Sequence, residues 1–124
     1  MSKFIKVPAP ITLTNSLGMV FVDGNSKPLV SSFKSFVQER IMDPAFSAGK
    51  QGFAAALLQN EAIESTKSIP EPGEVWELKS YEQWNALVTS IREPKKEFDT
   101  QFAFCLVPFM QAVIEASDVN PSAN

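Results

Sequence analysis

Turn-forming residues cut the first thirty positions of this chain into runs too short for a helix. Pro8-Ala9-Pro10, NSLG (15–18) and DGNSKP (23–28) leave only KFIKV (3–7), ITLT (11–14), MVFV (19–22) and LVS (29–31) between them. Short apolar and β-branched runs bounded by Gly, Pro, Asn and Asp are the signature of short strands. Residues 11–31 are therefore expected to form a small antiparallel meander, with Gly18 and Gly24 at turn positions that favour positive φ. Asp23 reads as a turn former that caps its own backbone rather than as a catalytic acid. KFIKV is open to two readings. It is either an extended arm (1–10) that adds a strand to a neighbour's sheet, or a strand of the chain's own sheet.

After residue 31 the period changes. Ser31 and Ser32 can cap a helix in SFKSFVQERIM, whose Phe33, Phe36, Val37 and Ile41 fall on one stripe. Asp43-Pro44 ends it and opens another turn. A second helix is expected from about residue 50 to 66, with Phe53, Ala56, Leu57 and Ile63 inward. KSIPEPG (67–73) connects it to EVWEL, where strand alternation puts Glu74, Trp76 and Leu78 on one face and Val75 and Glu77 on the other. Ser80 with Gln83 then forms a capping box for a helix that buries Trp84, Leu87, Val88 and Ile91. REPKKEF is a loop. The last helix, capped by Asp99 or Thr100, carries Phe102, Leu106, Phe109, Met110 and Val113, and Pro108 should kink it or split it. No internal repeat stands out.

These elements add up to an α+β chain: an N-terminal meander and one later strand packed on about four helices. A single domain over 1–117 is expected, with a polar, flexible tail at 118–124. An apolar fraction of 44% over 124 residues is enough for a core of ordinary size.

Composition removes several kinds of chemistry. The chain has no His, the commonest general base and metal ligand, and its single Cys cannot form an internal disulfide. Cys105 reads as a small buried hydrophobe, with no group placed nearby to lower its pKa. AGKQG lacks the Walker spacing, and no S-x-x-K with supporting motifs appears. A net charge of −3 argues against nucleic acid as the main ligand. The charge is uneven: residues 1–50 hold six basic and three acidic side chains (+3), residues 51–124 five and eleven (−6). The opening MSKFIKVPAP lacks the apolar run of a secretory signal, no stretch is long enough for a membrane span, and a reducing cytoplasm is the expected setting.

EPGEVWELKSYEQW (71–84) sets four glutamates among three aromatic rings, the materials of a glycosidase cleft. Each acid has a local role instead. Glu71 lies in the loop, Glu74 and Glu77 point to opposite faces, and Glu82 suits the first turn of a helix. No pair is brought into the facing geometry that glycoside hydrolysis needs. No catalytic, cofactor-binding or metal-ligating residue is expected. Contact residues are: Phe4, Ile5 and Val7 if the arm is free, and Trp76, Tyr81 and Trp84 if the rings are exposed.

KFIKVPAPITLT, SFKSFVQERIMDPAF, GEVWELKSYEQWNALV and FCLVPFMQAVIEA together resemble a layout found in small proteins of tailed-phage structural gene clusters. The chain departs from that layout in its DGNSK turn and in the proline-rich 70–73 connector. The resemblance implies a virion-assembly role, as a tail-assembly chaperone or a small neck or tail component, with other proteins or further copies of itself as partners. It carries over no catalytic residue. The competing expectation is a small adaptor, inhibitor or immunity-type protein that covers a basic target with its acidic C-terminal half. An enzyme working through carboxylates, Ser, Lys or Tyr81 is the third.

Overall fold

The computed structural model describes residues 2–93 and 103–121. Strands β1 (Lys3–Lys6), β2 (Ile11–Thr12) and β3 (Val30–Ser31) are followed by helices α1 (Phe33–Ile41) and α2 (Gly52–Thr66). Strand β4 (Val75–Leu78), helix α3 (Tyr81–Arg92) and helix α4 (Val107–Ile114) complete the order, with 3-10 turns at Pro44–Ser47 and Ala103–Leu106. The fold is α+β, as the sequence pattern indicates. Arg92 and Glu93 are the described part of REPKKEF; its remainder, the Asp99 or Thr100 cap and Phe102 lie outside the described residues.

The first residues form a strand inside the chain's own sheet. β1 pairs antiparallel with β4, Ile5 opposite Trp76, and the ladder runs on through Val7 N–H to Glu74 O (2.9 Å) and Gly73 N–H to Val7 O (2.8 Å). On its other side, Phe4 exchanges two backbone hydrogen bonds with Ser117. β1 is therefore hydrogen-bonded on both edges, by β4 and by a single bridge at Ser117, to partners from late in the sequence. The period-two pattern is visible in burial: Ile5 and Val7 lie in the core, and Lys6 between them is exposed.

Four rings centre the core. Phe33 meets Trp76 (6.3 Å between centroids, 75°) and Phe109 (5.8 Å, 73°) edge to face, and Phe36 tilts against Phe109 (5.5 Å). Such contacts add about 0.5–1.5 kcal/mol each beyond area burial. Phe33, Phe36, Val37 and Ile41 all face inward, as their spacing predicts, and Ser32 caps α1 by accepting from Ser35 N–H (3.1 Å). Asp43 caps the next turn by accepting from Ala45 N–H (2.8 Å). Pro108 divides the closing segment: a 3-10 turn ends at Leu106, and α4 starts at Val107 with the proline in its first turn, where no N–H is needed.

Two expectations are corrected. The first concerns α2, which buries Leu58, Ala62 and Thr66, with Ile63 half-buried, and leaves Phe53, Ala56 and Leu57 exposed. The inward stripe is rotated because polar bonds at the end of the helix hold it. Thr66 Oγ1 accepts from Gln38 of α1 (3.2 Å), Ser65 donates to Gln83 of α3 (3.0 Å), and Trp76 Nε1 of β4 donates to Ser68 (3.3 Å). Periodicity counts apolar residues and misses hydroxyls that dock a helix. Ser80 does cap α3 by accepting from Gln83 N–H (3.2 Å), while the Gln83 side chain serves Ser65.

The second concerns repeats. Residues 13–31 contain an eight-residue unit whose identity lies in backbone bonding. Asn15 Oδ1 accepts from Leu17 and Met19 N–H, and eight residues on Asp23 Oδ1 accepts from Asn25 and Lys27 N–H. In both turns the third residue after the Asx has positive φ: Gly18 at 82°, as expected, and Ser26 at 61°. Ser26 takes the position that the sequence pattern assigns to Gly24, because the Asx turn places it two residues later. Leu13, Phe21 and Leu29, again eight apart, close a ring: Phe21 N–H to Leu13 O (3.0 Å), Leu13 N–H to Leu29 O (2.8 Å) and Leu29 N–H to Phe21 O (2.9 Å). The meander folds back on itself as a three-sided β-knob.

Candidate functional site

Of the six contact candidates, Trp76, Ile5 and Val7 are buried in the core and Phe4 is half-buried in the sheet. None of the three buried side chains offers surface to a partner. Trp84 is half-buried, and its Nε1 donates to Val113 O (2.8 Å), which ties α3 to α4. Its face is covered by Lys3, whose Nζ sits 4.3 Å from the Trp84 ring centre, 5.7 Å from that of Tyr81 and 2.7 Å from Asp118 Oδ1. Tyr81, half exposed, lies against Trp84 with ring centres 5.4 Å apart and planes tilted by 46°. The structure thus brings Tyr81 and Trp84 together with a lysine, as a clasp between β1, α3 and the residues after α4. Sequence spacing pairs the two rings; Lys3 and Asp118 leave no signal.

The acidic residues of 71–84 do not converge. Glu71, Glu74, Glu77 and Glu82 are all exposed. Glu77 accepts from Ser2 Oγ (2.7 Å), and Glu82 pairs with Lys50 (2.7 Å). Among the described residues no three His, Cys, Asp or Glu side chains gather as a metal site would require. A groove of about 240 Å³ between Val7, Pro8 and Pro10 on one side and Ile69–Pro72 on the other has Lys34 and Glu71 as its charged residues. A more open hollow of about 470 Å³ adjoins it, with Lys6 as its one charged residue. Neither holds two carboxylates. No helix among the described residues is long and apolar enough to cross a membrane.

What the fold offers is apolar surface on a hydrogen-bonded frame. The β-knob presents Leu17 (83% exposed), Met19 (64%), Val20, Val22, Leu29 and Val30 to solvent. They are held there by the two Asx turns and the closed ring of backbone bonds. A second exposed apolar strip, Phe53 (80%) and Leu57, lies on the outer face of α2. Single exposed hydrophobes are common, and a cluster of them on one element is a candidate contact surface. The sequence displays all of these residues. Strand alternation alone does not show that the knob lacks a covering layer. Compared with protein-family models, curated proteins and solved structures, the chain matches none.

Proposed function

We propose that this chain is a non-enzymatic assembly or structural protein of a tailed-phage particle that works by docking on other proteins. The β-knob carries this reading. It places six exposed apolar side chains, Leu17, Met19, Val20, Val22, Leu29 and Val30, on a framework whose turns satisfy their own backbone groups, so the surface is ordered before any partner arrives. A preordered apolar surface binds without the entropy cost of folding a loop on contact. The phage assignment rests on the layout of short sequence motifs, and the contact role on the knob.

The test is a variant that keeps the knob and removes half of its exposed apolar side chains: Leu17→Ser, Met19→Ser and Val22→Ser together. All three positions are exposed, so circular dichroism and the urea midpoint should stay close to those of the unaltered chain. Capture of particle components from producing cells should fall at least tenfold. Unaltered capture would contradict the reading. Loss of capture in moderate salt, with the triple variant still binding, would favour the acidic inhibitor instead.

A further inference from the structure

The outer face of α2 points to a second copy of this chain. Phe53, Leu57, Asn60 and Glu64 are successive exposed or half-exposed positions at spacings of four, three and four, the stripe along which another helix packs. We infer that two copies pair through α2, antiparallel, with Leu57 against Leu57 on the two-fold axis.

Charge along the face selects both occupant and direction. Gly52–Asn60 carries no charged side chain, and Lys50 stands just ahead of it. Glu61 and Glu64 occupy the other end. The amino end of a helix is the positive end of its dipole, so the two ends of this face differ in sign. A copy turned through 180° sets its Glu61 and Glu64 beside Lys50 and the amino end of the first helix. A parallel copy stacks Glu61 on Glu61 and Glu64 on Glu64, which repel. The face is complementary to itself in one orientation only, the condition for an isologous interface. The ion pairs of Lys50 with Glu82 and of Glu64 with Lys67 are exposed and exchange partners at little cost.

With Leu57 on the axis, Phe53 of one copy lies against Asn60 of the other, and Ala54 beside Glu61. A single pair of four-turn helices buries less than the roughly 1,200 Å² of a stable interface, so the dimer is weak and forms at micromolar or higher concentration. This surface is separate from the β-knob, so its failure and failure of the proposed function are distinguishable.

Light scattering across a concentration series tests it. The unaltered chain should move from monomer mass toward twice that mass as concentration rises. Leu57→Asp should remain monomeric, with affinity down about 100-fold or more, because one carboxylate would be buried beside its own copy. Its far-UV circular dichroism should not change, since Leu57 is exposed in the monomer. Orientation is read in a Cys105→Ala background: chains carrying Ala54→Cys and Glu61→Cys, mixed and mildly oxidised, should cross-link to each other. A monomer at every concentration, or Ala54→Cys cross-linking mainly to itself, overturns the proposal.

Discussion

Phe4 and Ser117 exchange backbone hydrogen bonds in both directions, 2.8 Å from Phe4 N–H to Ser117 O and 2.9 Å from Ser117 N–H to Phe4 O. The pair ties β1 to the residues after α4 and occupies the edge of β1 that β4 leaves open. Replacing Ile5, the core residue next to this bridge, by Ala should cost about 2–5 kcal/mol in urea unfolding. Lys6→Ala, at the exposed position that follows it, should change stability by less than about 0.5 kcal/mol.

The two Asx turns of the knob differ at one informative position. Gly18 and Ser26 occupy equivalent places with positive φ, and only glycine adopts that conformation freely. Ser26→Gly should therefore stabilise the chain by up to about 1 kcal/mol, and Gly18→Ala should destabilise it by about 1–2 kcal/mol. A Cβ at Gly18 would meet no neighbouring atom within 4 Å, so a measured loss reports backbone strain alone.

Two phenylalanines separate packing from contact. Phe109 is fully buried between Phe33 and Phe36, and Phe109→Ala should cost about 3–5 kcal/mol. Phe53→Ala removes a ring that is 80% exposed and should leave monomer stability within about 0.5 kcal/mol. If Phe53→Ala were strongly destabilising, the outer face of α2 would have to be reassigned to the core.

The lysine clasp has a spectroscopic readout. Lys3→Met keeps an apolar stem over Trp84 and removes the charge, so tryptophan emission should shift and stability should fall by about 1 kcal/mol. Asp118→Asn, on the exposed side of the clasp, should cost less and lose its effect in high salt.

Much of this arrangement was legible in the sequence because local chemistry and tertiary demand agree. The alternation in VWEL, the stripe of Phe33, Phe36, Val37 and Ile41, and the caps at Ser32 and Ser80 all form where spacing and side-chain chemistry place them. The face of α2 was not legible. Its docking is set by Ser65, Thr66 and Ser68, and an Ala-rich helix leaves the apolar pattern ambiguous. The knob's repeat was hidden for another reason. Asn15 and Asp23 do the same work with different residues, as do Gly18 and Ser26, so the period lies in hydrogen bonding rather than in letters. Trp76 and Ile5 were legible as apolar, and only the pairing of β1 with β4 decides that they face each other inside the fold rather than a partner.

Photo-cross-linking from the knob in producing cells tests the proposed contact role most directly. A photoreactive residue at position 17 or 20 should label one protein species, and the same residue at the exposed position 74, outside the knob, should not. Equal labelling from all three positions, or none from positions 17 and 20, would contradict a docking role for the knob.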